Sequence, residues 1–168
     1  LDAYTEFIQD YYDSFRWLAD FSKRNLHLRI IIKKQPAGMI DEREREIIKD
    51  TPIEYVDMTL NSYEVAFQAK CAVTYGSTMG YELLGNGLPV LYLAPGMRNM
   101  FLPAKDDAFL ETLCVTNYEA FCQKLTILLS GQLLEGMDNT DKSDFCLGSG
   151  TYQRIYSFLL PGEGKINE

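Results

Sequence analysis

Apolar side chains recur at helical spacing near the start of the chain. The apolar positions between residues 3 and 25 are Phe7, Ile8, Tyr11, Phe15 and Leu18. They stand three or four residues apart with acidic residues between them, and the segment ends in the basic pair Lys23-Arg24. Basic residues are favourable at the C-terminal end of a helix. We therefore predict an amphipathic helix over residues 3–25.

Short apolar runs of a different kind follow. The run Ile30-Ile31-Ile32 contains three β-branched residues, which favour a strand, and its continuous apolar character is typical of burial on both faces. The predicted strands cover 27–32, 53–56, 71–75, 89–94 and 113–116. The predicted helices between and after them cover 41–49, 63–70 with a cap at Ser62, 78–86 and 118–129.

This alternation of strands and helices with short connections predicts the fold class. Such an order implies right-handed crossovers and a parallel sheet with helices on both faces. We expect one Rossmann-like α/β domain over residues 1–168, with a mainly parallel sheet of at least five strands. The 71–75 strand is expected to be central, and the helices 3–25 and 118–129 to lie outside the sheet.

Three further segments are less regular. Residues 95–107 lack clear periodicity and follow a strand, and long irregular loops of this kind are often functional. Residues 130–150 are rich in Gly, Asp, Asn and Ser and are predicted to be an irregular connector, followed by a helix over 151–160. The charges of residues 41–49 alternate in sign, which we interpret as a solvent-exposed helix face.

The turn after the 71–75 strand carries the candidate chemistry. Gly76-Ser77-Thr78 places small and hydroxyl residues where a helix begins, and the unpaired N–H groups of a helix start attract anions. Ser77 and Thr78 either cap this helix or bind a phosphate. Glu82 stands one helical turn after Thr78 among apolar neighbours, so it requires a partner. Either the hydroxyls of a sugar or a lysine would serve.

The same segment resembles a known superfamily. Gly76-Ser77, Glu82 and Gly87-Leu88-Pro89-Val90 stand where GT-B-type glycosyltransferases and the non-hydrolysing UDP-N-acetylglucosamine 2-epimerases have a Gly-Ser turn, a Glu and a Gly-x-Pro-Val strand. Residues 28–36 resemble the strand ending in Lys-x-His-Pro of bacterial surface-polysaccharide transferases, although Gln35-Pro36 replaces the His-Pro. Residues 148–155 resemble their closing Gly-x-x-x-x-Arg-Ile helix.

The resemblance implies a set of binding residues. The residues that would bind the donor, a nucleotide diphosphate sugar or a CDP-polyol, are Lys34, Gly76, Ser77, Thr78, Gly80, Glu82 and Arg98. Lys34 and Arg98 would neutralise the diphosphate, although a lone loop arginine is often simply solvated. The residues that would lie beside the nucleobase are Asp57, Met58 and Thr59. No catalytic residue is assigned.

Composition narrows the classes of partner. Twenty-four acidic and sixteen basic residues give a net charge of −8, which disfavours nucleic acid as a partner. No apolar run approaches the roughly 20 residues of a membrane span. Four cysteines without Cys-x-x-Cys spacing and a single histidine make a metal site improbable, and we expect no cofactor, reduced thiols and a cytoplasmic location.

The resulting hypothesis is the donor-binding, carboxyl-terminal half of a two-domain glycosyl- or glycerophosphotransferase of surface-polysaccharide biosynthesis. By resemblance, an amino-terminal half would supply the acceptor site, so the isolated chain would be inactive. Two alternatives stay open. One is a UDP-sugar 2-epimerase, and the other is a flavodoxin-like binding module without catalysis, since fold does not fix function.

Overall fold

The structure is a computed structural model that describes residues 3–34, 40–96 and 112–134. Five helices and five strands are assigned within these ranges. The helices are α1 (Ala3–Arg24), α2 (Glu42–Ile48), α3 (Ser62–Ala66), α4 (Met79–Gly85) and α5 (Tyr118–Leu129). The strands are β1 (Ile30–Ile32), β2 (Ile53–Tyr55), β3 (Ala72–Thr74), β4 (Val90–Leu93) and β5 (Cys114–Val115).

Every strand pairing among the described residues is parallel, and these strands form two small sheets. β1 pairs with β2, placing Ile30 opposite Ile53. β3, β4 and β5 form the second sheet in that order, with Ala72 opposite Val90. Helices flank both sheets. The predicted α/β, Rossmann-like class is therefore confirmed, whereas the prediction of one continuous five-stranded sheet is wrong for the described residues.

The position of the 71–75 strand also needs correction. β4, not β3, lies in the middle of the three-stranded sheet. All four residues of β4 are buried, Val90 and Leu91 completely, while the residues of β3 are half-buried. The reason is in the side chains. Val-Leu-Tyr-Leu offers large apolar groups on both faces, whereas Ala-Val-Thr offers smaller ones and a hydroxyl.

Two clusters of buried side chains form the core, and α1 contacts both. Phe15 belongs to the smaller cluster with Ile48 and Ile53. Phe21 belongs to the larger cluster around β4 and α5, where its ring lies 5.6 Å from that of Phe121. Leu18, between them in sequence, packs against both clusters. The two sheets are thus joined by side-chain packing along one long helix.

Helix boundaries follow the caps that the sequence supplies. Asp41 caps α2 and Asn117 caps α5, each accepting a backbone N–H three residues on. α3 differs from its prediction, because Asn61 rather than Ser62 is the cap and the helix ends at Ala66. No residue of α3 is fully buried, and little packing is therefore available to extend it.

Candidate functional site

The turn between β3 and α4 has the conformation that its glycine permits. Gly76 lies at φ 65°, a region that residues with a side chain rarely adopt. Ser77 Oγ accepts the backbone N–H of Met79 at 3.3 Å, and Thr78 is the N-cap residue of α4 without a side-chain cap bond. Both hydroxyls were candidates for the cap of α4. The Ser77 hydroxyl accepts a backbone N–H at this turn, whereas the exposed Thr78 hydroxyl does not cap the helix.

Gly80 brings the first turn of α4 against the sheet. A Cβ at this position would lie 2.7 Å from the Tyr92 hydroxyl oxygen and 3.0 Å from Thr74 Cγ2. The missing side chain of Gly80 is thus what allows α4 to pack so closely on β3 and β4. This close packing fixes the direction in which the turn at Gly76 faces.

Glu82 is half-buried on α4. Within the residues that the structure describes, its carboxylate accepts no hydrogen bond and forms no ion pair. The lysine partner considered from the sequence is therefore not found in this part of the chain. A carboxylate in this setting has unused acceptor capacity for hydroxyl or N–H donors.

Lys34 follows β1 and is already engaged. Its ammonium lies 2.5 Å from Glu44 Oε1, in an ion pair whose side chains are 16% and 1% exposed. The Glu44 carboxylate also accepts the hydroxyls of Tyr11 and, at 3.2 Å, Tyr55. A buried carboxylate is tolerable only with such partners. The cluster of Tyr11, Lys34, Glu44 and Tyr55 is called the Glu44 cluster below.

The Glu44 cluster perturbs its phenols. Burial raises the pKa of Tyr11 well above its ordinary value, and the hydrogen bond to Glu44 adds to the effect. Burial and the charge of Glu44 act in the same direction on the pKa of Tyr55. Both phenols therefore stay protonated and serve as donors at any pH at which the protein would be studied.

Asp41 extends the charge arrangement beside the cluster. Its carboxylate accepts the backbone N–H of Glu44 and the hydroxyl of Tyr12, both at 2.8 Å. Burial alone would raise the pKa of Asp41, but these hydrogen bonds and the charge of Lys34 outweigh it and lower the pKa. Lys34 therefore lies within the field of two carboxylates.

Side-chain contacts link the Glu44 cluster to the end of β3. The Tyr75 ring lies 5.7 Å from the Tyr11 ring, and the Tyr75 hydroxyl donates to the Phe7 carbonyl at 2.9 Å. Tyr75 directly precedes the turn at Gly76. The carboxyl ends of β1, β2 and β3 are thus connected through α1, on the edge where ligands bind in open parallel sheets.

The loop after β2 holds the three nucleobase candidates. Asp57 accepts the backbone N–H and the hydroxyl of Thr59, each at 2.8 Å, and these bonds lower its pKa. The Met58 carbonyl accepts the Lys33 ammonium at 2.8 Å. The Asp57 carboxylate and the Met58 carbonyl therefore already form hydrogen bonds that stabilise the loop. A ligand would have to contact other, exposed groups of this turn.

Other residues and features that the sequence or the structure singles out do not contribute to the described part of this edge. Arg98 falls outside the described residues, as do most of the 95–107 loop, most of the 130–150 connector and the 151–160 helix. A cavity of about 330 Å³ is lined by residues that include Lys70, Pro89 and Gly131. Pro89 precedes β4, so this cavity lies at the amino end of that strand, the opposite end from that expected for a donor.

The sequence interpretation missed Glu44. Its helix was interpreted as a solvent-exposed face, and this is wrong at Glu44, which is 1% exposed. The signal was present in the spacing: Glu44 precedes the buried Ile48 by one helical turn, so both face the core. Tyr11 was correctly assigned to the apolar face of α1, but its hydroxyl was not considered.

Within residues 3–34, 40–96 and 112–134, no group of three or more His, Cys, Asp or Glu side chains has a geometry that could hold a metal ion. Over the same ranges no helix is both long and apolar enough to span a membrane. Comparisons with models of protein families, with curated proteins and with solved structures find no match to this chain.

Proposed function

We propose that this chain binds a nucleotide diphosphate linked to a sugar or polyol, as the donor half of a glycosyl- or glycerophosphotransferase of surface-polysaccharide biosynthesis. The observation that carries the proposal is the segment from Gly76 to Glu82. It combines a left-handed glycine turn at the carboxyl end of β3 with a carboxylate that, within the described residues, has no partner.

The chemistry of the two ends of such a donor suits this segment. Backbone N–H groups at the turn would bind phosphate oxygens. Glu82 would accept hydrogen bonds from ribose or sugar hydroxyls. The ionised phosphates cannot donate such hydrogen bonds to it. Lys34, which follows β1 in the other sheet, would supply positive charge that stabilises a diphosphate leaving group.

The wider assignment follows from the sequence resemblance. An amino-terminal domain would bind the acceptor and supply the catalytic base, so this chain alone would bind the donor without transferring it. We also propose a cytoplasmic location for this chain. A 2-epimerase would use the same donor site, so donor binding supports both reactions.

The test is calorimetric titration of the protein with uridine, cytidine, adenosine and guanosine diphosphates and with inorganic pyrophosphate. We expect at least one nucleotide to bind. Glu82→Ala should weaken the binding of that nucleotide by about 1.5–3 kcal/mol, the range for hydrogen bonds to charged groups. It should leave the binding of pyrophosphate unchanged. Glu119→Ala, which removes one exposed carboxylate from α5, is the matched control.

Three results would count against the proposal. If wild-type protein binds none of the nucleotides, donor binding is wrong. Equal losses for nucleotide and pyrophosphate would mean that Glu82 supports the turn rather than contacting hydroxyls. Tight binding of a flavin together with no binding of the diphosphates would favour the non-catalytic, flavodoxin-like alternative.

A further inference from the structure

Glu44 has more donors than a structural ion pair requires. Its carboxylate is 1% exposed and accepts hydrogen bonds from three separate parts of the fold. The donors are Tyr11 on α1, Lys34 after β1 and Tyr55 on β2. If Lys34 left, the two phenols would still satisfy the carboxylate. Breaking a buried ion pair is strongly destabilising when the remaining charge has no other partner, and these two hydrogen bonds reduce that cost here.

Lys34 is the charged member of the cluster that reaches solvent. Its side chain is 16% exposed, so part of it reaches solvent, whereas that of Glu44 is buried behind it. Lysine carries its charge on a flexible four-carbon chain and makes no geometrically fixed fork, so exchanging one anion for another requires only rotation. The pair thus presents its positive end outward and its negative end inward.

We propose that Glu44 is a positioning residue that holds the Lys34 ammonium until a donor diphosphate takes it. This inference rests on the proposed function. In the free protein Glu44 and Lys34 are paired. On binding, Lys34 turns to the phosphate while Tyr11 and Tyr55 keep the Glu44 carboxylate hydrogen-bonded. Glu44 therefore limits the affinity for anions, because every bound diphosphate competes with it.

The sign of this effect separates the proposal from a purely structural role. Glu44→Gln would leave the Lys34 ammonium without the anion that it faces at 2.5 Å in the free protein. Removing that negative charge should tighten anion binding by at least about fivefold, since a unit charge pair about 4 Å apart is worth about that factor even at the dielectric of water. A residue that only supports the fold would weaken binding when replaced.

The experiment titrates inorganic pyrophosphate and the preferred nucleotide diphosphate into folded variants, with folding checked by circular dichroism. Glu44→Gln removes the charge and keeps the shape, and it should bind both ligands at least about fivefold more tightly than wild type. Glu46→Gln is the matched control, because Glu46 lies on the exposed side of α2 and pairs only weakly with Lys49 at 3.8 Å. It should change affinity by less than about twofold.

Two further variants test whether the effect passes through Lys34. In a Lys34→Met background, the gain from Glu44→Gln should disappear, since no ammonium remains to be released. The paired change Tyr11→Phe with Tyr55→Phe should weaken binding, because the carboxylate then depends on Lys34 alone. The double phenylalanine variant leaves Glu44 unchanged, so it keeps the proposal testable even if Glu44→Gln does not fold.

Several outcomes overturn the inference. Equal or weaker binding by folded Glu44→Gln does so, as does a gain that persists without Lys34, or unchanged binding by the double phenylalanine variant. If pyrophosphate binds as well as every nucleotide, the proposed function is wrong. The exchange of Lys34 between Glu44 and an anion can still be measured with pyrophosphate in that case. If no variant binds any anion, the inference fails as well.

Discussion

Replacing Gly80 with alanine tests how tightly α4 is held against the sheet. The added Cβ would lie 2.7 Å from the Tyr92 hydroxyl oxygen and 2.9 Å from Tyr92 Cζ, whereas ordinary contact begins at 3.4 Å. Tyr92 cannot easily turn away, because it is 1% exposed and its ring stacks on Tyr81 with centroids 5.1 Å apart. Either α4 or the ring must therefore shift by several tenths of an ångström.

The magnitude follows from two opposing terms. Overpacking a well-packed site costs about 1–3 kcal/mol. Alanine also stabilises a helix interior relative to glycine, by about 0.5–1 kcal/mol. We therefore expect Gly80→Ala to lower the free energy of unfolding by up to about 2.5 kcal/mol, measured by urea denaturation with an unchanged m-value.

A double-mutant cycle identifies the contact responsible. Tyr92→Phe removes the atom nearest to the new Cβ, so Gly80→Ala should cost about 0.5–1 kcal/mol less in that background. Effects of the lost hydroxyl itself cancel in the cycle. If Gly80→Ala were as stable as wild type and the cycle showed no coupling, α4 would not be as close to β4 as the structure indicates.

Three other predictions concern the caps and the Glu44 cluster. Asn117→Ala should lower the free energy of unfolding by about 1 kcal/mol in urea, because it removes the cap of α5, while Asn117→Asp should not. Tyr11→Phe should lower the free energy of unfolding by about 1.5–3 kcal/mol in the same assay, the range for a hydrogen bond to a charged group. This loss should exceed that of Tyr12→Phe, whose hydroxyl donates to the less buried Asp41. Equal losses of stability would contradict the central role of Glu44. The pKa of Asp41 is lowered in the folded state, so its contribution to stability is present above about pH 4 and is lost as pH falls through the folded value. Asp41→Asn should therefore lose less stability on acidification than wild type, measured by thermal melts at stepped pH. Parallel curves for the two proteins would refute this.

The sequence was most informative where structure depends on near neighbours. The helical spacing around Phe7 and Phe15 predicted α1 to within a residue, and the apolar positions of α5 predicted its full extent. Caps are also local, although Asn61 was overlooked in favour of Ser62. In each case the residues that decide the outcome lie within about one helical turn of each other.

Pairing between distant segments was less predictable. The central place of β4 depends on which neighbours its side chains meet, and the apolar run of β3 looked equally suitable for that place. Glu44 gives the clearest example. Its burial depends on Tyr11, 33 positions away, and on Lys34, 10 positions away. No local pattern in a short charged helix reveals such partners, and the Glu82 assignment stays a prediction for the same reason.

The packing of α1 has a consequence for how the chain is made. Phe21 on α1 contacts Phe121 on α5, and Trp17 stacks on the same ring at 6.1 Å. These residues are about a hundred positions apart, which at 5–20 residues per second corresponds to roughly 5–20 s of synthesis. During that interval the apolar face of α1 has no α5 to cover it. α1 must therefore wait for α5, the last helix described here, so the larger core closes only after α5 has been synthesised.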